Sequence, residues 1–237
     1  MSGRLTRYVI QASALLLLVC TLPASAAIVI NNTRVVYPQN EREVTVRIDN
    51  QGKGPVLLQT WIDDGDAQAL PEKMQVPFVL TPPVNRIDAG KSQSVRIRYT
   101  GRSLPSDRES LFWLNALEIP ARQKSADPQN LLQMAFRTRI KLFFRPAELQ
   151  GEPEAAAQTL QWESGAGQVT AVNDTPWHVS LLSVHVQAEG KTQTIEGDTV
   201  APFSRQDFAV TSHGRIQVMG WQYINDYGAI QDMKASR

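Results

Sequence analysis

The sequence is almost free of cysteine. Its one cysteine, Cys20, lies in a leader with two arginines and no acid, an apolar run (ALLLLVC) and a small-x-small signal that ends at Ala26. These are the features of a secretory signal peptide, and the apolar run is too short to span a bilayer. We therefore expect residues 1–26 to be removed, which leaves an exported chain with no disulfide and no free thiol.

The chain also lacks a charge excess and a long apolar run. After residue 26 it carries 22 basic and 23 acidic side chains, a net charge near −1. A balanced charge argues against a nucleic-acid partner. No segment outside the leader approaches the roughly twenty apolar residues that a membrane-spanning helix needs, so we predict no stable membrane insertion.

Sequence motifs of catalysis are missing too. The chain has no GxSxG, HExxH, P-loop or GxGxxG sequence. Its histidines, His178, His185 and His213, have no hydroxyl or carboxylate partner at a meaningful spacing, and we interpret them as surface or satisfied core residues. The acidic run DDGD at 63–66 lacks the alternating ligands and closing Glu of a calcium loop and is more typical of a turn. We predict no enzyme activity, no cofactor and no metal.

What the chain does contain is β structure. Short runs rich in Val, Ile, Leu and aromatics alternate with Gly, Pro, Asn and Asp clusters every 8–12 residues or so, which is typical of β-sandwiches. Seven strands are predicted near 28–36, 43–49, 56–63, 77–81, 93–99, 111–118 and 131–145, and six shorter ones follow a small, acidic segment after Pro146. The fold class is therefore all-β, with two immunoglobulin-like β-sandwich domains at 27–146 and 147–237.

The segment LLQMAFRTRIKLFFRP at 131–146 predicts an unusually long strand. Its apolar and cationic residues alternate, so one face of the strand is apolar and the other is basic. On this pattern alone Arg137 and Arg139 simply face solvent.

Several segments of the chain form a distinctive set in this order: NNTRVVYP, QTWIDDGD, FVLTPPVNRIDAGKSQSVRIRY, LPSDRESLFWLNALEIP, the long strand at 131–146, NDTPWHV, VAPFSRQ and YINDYGA. Together they resemble the periplasmic chaperones of the chaperone–usher pilus pathway, of the short-loop type. The resemblance extends over nearly the whole chain after residue 26. It implies two immunoglobulin-like domains in an L or boomerang arrangement.

The resemblance also implies how the long strand is used. Pilus subunits of this pathway lack their final strand, and the chaperone lends its own, a known case of strand addition. Leu132, Met134 and Phe136 match the row that enters the groove of a subunit. The alternative is that these three side chains fill their own domain, a description that suits Ile140, Leu142 and Phe144 better.

Five charged residues match family motifs. Arg34 and Lys141 match the anchor for the C-terminal carboxylate of a subunit, although a solvated strand face would be the ordinary interpretation of either residue. Glu109, Arg145 and Asp226 match an interdomain charge cluster, which we assign a structural role.

We therefore expect a periplasmic, non-enzymatic chaperone whose partners are pilus or fimbrial subunits and an outer-membrane usher. An exposed edge strand would also favour self-association of the free protein. A structural pilin or surface adhesin is the main alternative, and a secreted carbohydrate-processing enzyme is disfavoured by the missing catalytic motifs.

Overall fold

The computed structural model describes residues 27–121, 134–212 and 214–235. The predicted signal peptide, Leu132 and His213 lie outside these residues. Within them the chain forms almost only strands, as the alternation of apolar and polar residues predicts. None of the described helices is long and apolar enough to cross a membrane.

The first domain is a sandwich of two sheets. One sheet has the order β1-β3-β7-β5 and the other the order β2-β9-β8-β4-β6. The strands are β1 (Ile28–Ile30), β2 (Arg34–Pro38), β3 (Val44–Asn50), β4 (Val56–Asp63), β5 (Phe78–Thr81), β6 (Val84–Ile87), β7 (Ser92–Tyr99), β8 (Ser110–Pro120) and β9 (Phe136–Arg145), with a 3-10 helix at Pro71–Lys73.

Three details of the first domain differ from the sequence prediction, and the first is that β6 lies where no strand is predicted. The segment 28–36, predicted as one strand, is divided between β1 and β2, which belong to different sheets. The chain crosses from one sheet to the other in between, and hydrophobic alternation does not mark such a crossing. The described part of the long strand has 10 residues, from Phe136 to Arg145, and Met134 and Ala135 precede it without strand structure.

The first core lies between the two sheets and is rich in aromatic rings. Phe144 packs on Tyr99 with ring centroids 4.5 Å apart and on Tyr37 at 6.0 Å. The Tyr37 hydroxyl accepts a hydrogen bond from the Tyr99 backbone N–H at 3.0 Å and donates to backbone carbonyls of the β2–β3 turn. These contacts fix the end of β9 firmly in the first domain.

The second domain has its own core and two sheets. It begins with a short helix, α1 (Pro153–Gln158). The sheet orders are β10-β11-β15 and β13-β12-β16-β17, with β14 paired to β12. The strands are β10 (Gln161–Gly165), β11 (Gln168–Asn173), β12 (Val179–Ala188), β13 (Lys191–Glu196), β14 (Thr199–Val200), β15 (Ser204–Ala209), β16 (Ile216–Ile224) and β17 (Ile230–Lys234).

The two domains touch directly where β9 ends. The backbone N–H of Glu109 donates to the Pro176 carbonyl at 2.9 Å, and the backbone N–H of His178 donates to the Glu109 carboxylate at 2.9 Å. The β16–β17 turn approaches the first domain so closely that a Cβ added at Gly228 would lie 2.4 Å from the Thr33 hydroxyl. Gly228 also has φ +81°, so glycine is required there both for the backbone and for the contact.

Candidate functional site: a cationic pair and a free strand edge

Arg34 and Lys141 are brought together by a parallel strand pair. β2 runs parallel to β9, and Arg34 is the register partner of Lys141. Side chains at paired positions of neighbouring strands point to the same face of the sheet. Here that face is turned toward the second domain, where Arg34 contacts β16 and Lys141 contacts β12 and β14.

Lys141 lies half-buried, and its hydrogen-bond acceptors among the described residues are hydroxyl groups. Its Nζ donates to Ser180 Oγ at 3.3 Å and to Thr199 Oγ1. Burial and the neighbouring charge of Arg34 lower the pKa of Lys141 to about 8, although Asp198 opposes this shift. The ammonium group is therefore destabilised as long as no anion is beside it.

Arg34 is buried and only partly satisfied. Its Nη1 donates to the Ile224 carbonyl at 2.9 Å, whereas Nε has no hydrogen-bond partner in the part of the chain that the structure describes. Burial lowers the pKa of Arg34, and the charge of Asp226 partly offsets this effect. Two adjacent cations with unused donors form a site suited to a carboxylate, which accepts up to two hydrogen bonds from a guanidinium.

A second charged group lies at the domain junction beside this pair. Arg145 Nε donates to Glu109 Oε1 at 2.9 Å, and Arg145 Nη1 donates to Asp226 Oδ2 at 2.9 Å. The guanidinium also lies 4.8 Å from the ring centre of Trp177. The three residues assigned to the interdomain cluster are thus in contact, and Arg145 joins both domains through them.

The sequence did not reveal that His178 belongs to this cluster. Its Nδ1 lies 3.3 Å from Glu109 Oε2, in addition to the backbone hydrogen bond described above. Burial alone would raise the pKa of Glu109, but the hydrogen bond from His178 and the charge of Arg145 outweigh it and lower the pKa. Because 69 residues separate the two partners, no spacing rule could have indicated the pair.

The first half of β9 has one free edge. β8 pairs with β9 from Phe136 to Phe144, but β2 pairs with it only from Lys141 to Arg145. Within the described residues no strand pairs with the other edge of 136–140. An edge of this kind presents unpaired N–H and C=O groups and invites a strand from another chain.

The apolar row of β9 changes from buried to exposed along the strand. Ile140, Leu142 and Phe144 are buried in the first core. Met134 and Phe136, on the same parity, are 54% and 50% exposed. Free backbone groups and exposed apolar side chains therefore occur together in the segment that lies next to Lys141.

The interpretation of Arg137 and Arg139 as merely solvent-facing is wrong. Arg139 Nε donates to Asp63 Oδ2 at 3.0 Å, and Arg137 Nε donates to Asn115 Oδ1 at 2.8 Å. Asp63 is the last residue of β4, as the predicted strand 56–63 has it, and its side chain is completely buried. The sequence shows the charges but not the strand register that brings them together.

The other histidine of the described chain has an ordinary surface environment. His185 on β12 lies 3.2 Å from Thr194 Oγ1 through Nδ1. Among residues 27–121, 134–212 and 214–235, no group of three or more His, Cys, Asp or Glu could hold a metal ion.

Family models match both halves of the chain. The model described as "Pili and flagellar-assembly chaperone, PapD N-terminal domain" matches residues 27–150, and that described as "Pili assembly chaperone PapD, C-terminal domain" matches residues 155–235. The probable fimbrial chaperone YadV of Escherichia coli K12 is 44% identical over 214 residues, which cover 86% of this chain and 87% of YadV. Chaperone protein FimB/FhaD of Bordetella pertussis is 40% identical over 218 residues, which cover 90% and 89%.

Solved structures agree with these relatives. The YadV crystal structure superposes with a TM-score of 0.77 at 42% identity and covers 89% of this chain and 99% of that one. A chain from the complex of the Salmonella enterica SafA pilin with the SafB chaperone gives a TM-score of 0.74 at 28% identity, with coverage of 89% and 95%. The two-domain fold of the present chain is therefore the fold of these chaperones.

Proposed function

The chain belongs to the PapD family of pili assembly chaperones, and from this premise we propose that it binds fimbrial subunits in the periplasm by lending them a strand and delivers them to an outer-membrane usher. We propose that it does so without catalysis. The lent side chains are those of Leu132, Met134 and Phe136, with Leu132 lying outside the described residues. The observation that carries the proposal is the free edge of β9 beside two exposed apolar side chains.

Strand addition explains why this edge is tolerated. A subunit that lacks its final strand has unpaired edges and an apolar groove, so it needs backbone partners and apolar side chains at alternate positions. The first half of β9 offers both, with Met134 and Phe136 on the face that continues the apolar row. Fully burying a side chain of this size contributes about 1.5–3 kcal/mol.

The cationic pair supplies a fixed end point. We propose that Arg34 and Lys141 bind the C-terminal carboxylate of the subunit and thereby set the register of the added strand. The lowered pKa of Lys141 supports this role, because an incoming carboxylate would stabilise the ammonium group that burial destabilises. Glu109, Arg145 and Asp226 hold the domains beside this pair and are proposed as structural support.

A signal peptide at 1–26 and domains at 27–146 and 147–237 complete the proposal. The pilin or adhesin alternative receives no support from the relatives, which are named chaperones. The exposed edge also leads us to propose that the free protein self-associates.

Recovery of subunit complexes from the periplasm tests the anchor. Lys141→Ala and Arg34→Ala should leave a folded protein that no longer co-purifies with a fimbrial subunit. Removing a charge that is destabilised by burial should not lower the melting temperature. Lys191→Ala, at an exposed position of β13, is the matched control and should retain the subunit. Equal recovery with all variants would refute the anchor.

A further inference from the structure

The half of β9 that has a free edge also has little core beneath it. Phe136 is half-exposed and Thr138 is exposed, so the inward row holds this segment weakly. A segment with one strand neighbour and few buried apolar contacts belongs to the least stable parts of a fold. Something else has to keep it extended while no subunit is bound.

The opposite face of the same segment is held by a buried ionic group. Asp63 at the end of β4 accepts hydrogen bonds from Arg139 through both carboxylate oxygens. Arg139 Nε donates to Oδ2 at 3.0 Å, and Arg139 Nη2 donates to Oδ1. Arg137 Nη2 lies 3.5 Å from Asp63 Oδ2. Asn115 of β8 donates to Asp63 at 2.7 Å and accepts from Arg137 at 2.8 Å. One completely buried carboxylate thus joins three strands.

Aromatic rings and a loop complete this arrangement. The Arg139 guanidinium lies 4.1 Å from the ring centre of Trp113, and that of Arg137 lies 4.9 Å from the ring centre of Trp61. Both arginines also donate to carbonyls of the loop after β4, Arg139 to Gly65 at 3.0 Å and Arg137 to Ala67 at 2.6 Å. The edge of each guanidinium group is therefore hydrogen-bonded, and its face packs against an aromatic ring.

The charge of Asp63 is stabilised in this environment. Burial alone would raise its pKa, but hydrogen bonds from Arg139, Asn115 and the Gly65 backbone, together with the charge of Arg139, outweigh burial and lower the pKa. Desolvated ion pairs with several hydrogen bonds are costly to break from one side, because the remaining charge loses its partner.

We propose that Asp63, Asn115, Arg137 and Arg139 form a brace that holds residues 136–140 of β9 extended before a subunit arrives. These four residues position the segment and do not contact the subunit. Successive side chains of a strand alternate between its two faces, and the brace lies on the face opposite to Met134 and Phe136. A subunit can take the free edge without displacing it. Ordering the segment in advance lowers the entropy cost of binding. This inference rests on the proposed function.

Hydrogen exchange on the free, full-length protein tests the brace without any subunit. In Asp63→Asn, the amides of residues 136–140 that bond to β8 should exchange at least about tenfold faster, because segmental opening is less opposed. Protection of the amides of Leu142–Phe144 should fall less, and the melting temperature should fall as well, because breaking the pair from one side leaves the arginines without their buried partner. Glu163→Gln, which removes an exposed ion pair with Arg205 between β10 and β15, is the matched control and should change neither.

A second variant distinguishes loss of the brace from a general folding defect of Asp63→Asn. Arg139→Lys keeps the charge but loses the two-point contact with Asp63, so exchange at 136–140 should still accelerate, to a smaller extent. Unchanged exchange at 136–140 in both variants would refute the brace. A uniform loss of protection across the first domain would also refute it, because the cluster would then be ordinary core structure.

Binding completes the test. The affinity of Asp63→Asn for the fimbrial subunit that co-purifies with the wild-type protein should fall about tenfold, since ordering one or two backbone residues has this magnitude. Faster exchange with unchanged affinity would contradict the claimed role in binding. If the wild-type protein bound no subunit, the proposed function would fail, whereas the exchange result would still decide whether the brace exists.

Discussion

Substitutions of two phenylalanines on the same strand distinguish a role in subunit binding from a role in folding. Phe136 and Phe144 both belong to β9 and have the same parity, but Phe136 is 50% exposed and Phe144 is 2% exposed. Replacing each with threonine removes the ring and keeps a residue that favours β structure. The substitutions are therefore chemically identical and differ only in what surrounds the ring.

The expected magnitudes follow from these exposures. Fully burying a phenylalanine contributes about 1.5–3 kcal/mol, so the exposed half of Phe136 offers about 0.8–1.5 kcal/mol to a binding partner, and the buried half contributes about as much to folding. Replacing Phe136 should weaken the complex about four- to tenfold and lower the free energy of unfolding by about 0.8–1.5 kcal/mol. Phe144→Thr removes a ring packed on Tyr99 and Tyr37 and should lower the free energy of unfolding by about 3–5 kcal/mol.

Urea unfolding and subunit affinity, measured on the same preparations, check this prediction. Phe136→Thr should weaken subunit binding with a moderate loss of stability, whereas Phe144→Thr should lower stability several times more. If Phe136→Thr lowered stability as much as Phe144→Thr, Phe136 would be a core residue of its own domain. If it left affinity unchanged, the row at Met134 and Phe136 would not enter a subunit.

Two further predictions concern the charged groups. Subunit affinity should be constant below about pH 8 and fall as pH rises above it, because the free Lys141 has a pKa of about 8 and a bound carboxylate favours its protonated form. Affinity measured from pH 6.5 to 9.5 checks this. A profile that is flat in the wild type and unchanged by Lys141→Arg would contradict it. Asp226→Ala should lower the free energy of unfolding by about 1–2 kcal/mol, which lies between the effects of breaking an exposed and a buried ion pair, and it should change subunit affinity less. Paired melting and binding experiments would refute this if affinity fell more than stability. Glu163→Ala, which breaks an exposed ion pair, is the control.

Local alternation predicted much of the fold. Segments such as VTVRI and VRIRY became β3 and β7 with one buried and one exposed face, because a period of two requires it. Alternation did not show that the chain changes sheets between β1 and β2, or that β6, β14 and β17 exist. Those features depend on which strands are neighbours, and a single strand carries no signal for its neighbours.

The candidate site could likewise be predicted from the sequence only in part. The family resemblance indicated Arg34 and Lys141, and the structure pairs them in register through two parallel strands. It did not indicate Asp63 as a partner of Arg139, because that contact spans 76 residues and depends on the register of three strands. An arginine on a strand face is usually solvated, and only the buried carboxylate below it changes that interpretation.

The structure of the chaperone bound to a fimbrial subunit would test the central claim most directly. We predict that a strand of the subunit pairs with the free edge of residues 136–140, and that Met134 and Phe136 are buried in its groove. The C-terminal carboxylate of the subunit should lie within hydrogen-bonding distance of Arg34 and Lys141. A complex in which the subunit binds elsewhere and this edge of β9 stays unpaired would contradict the account.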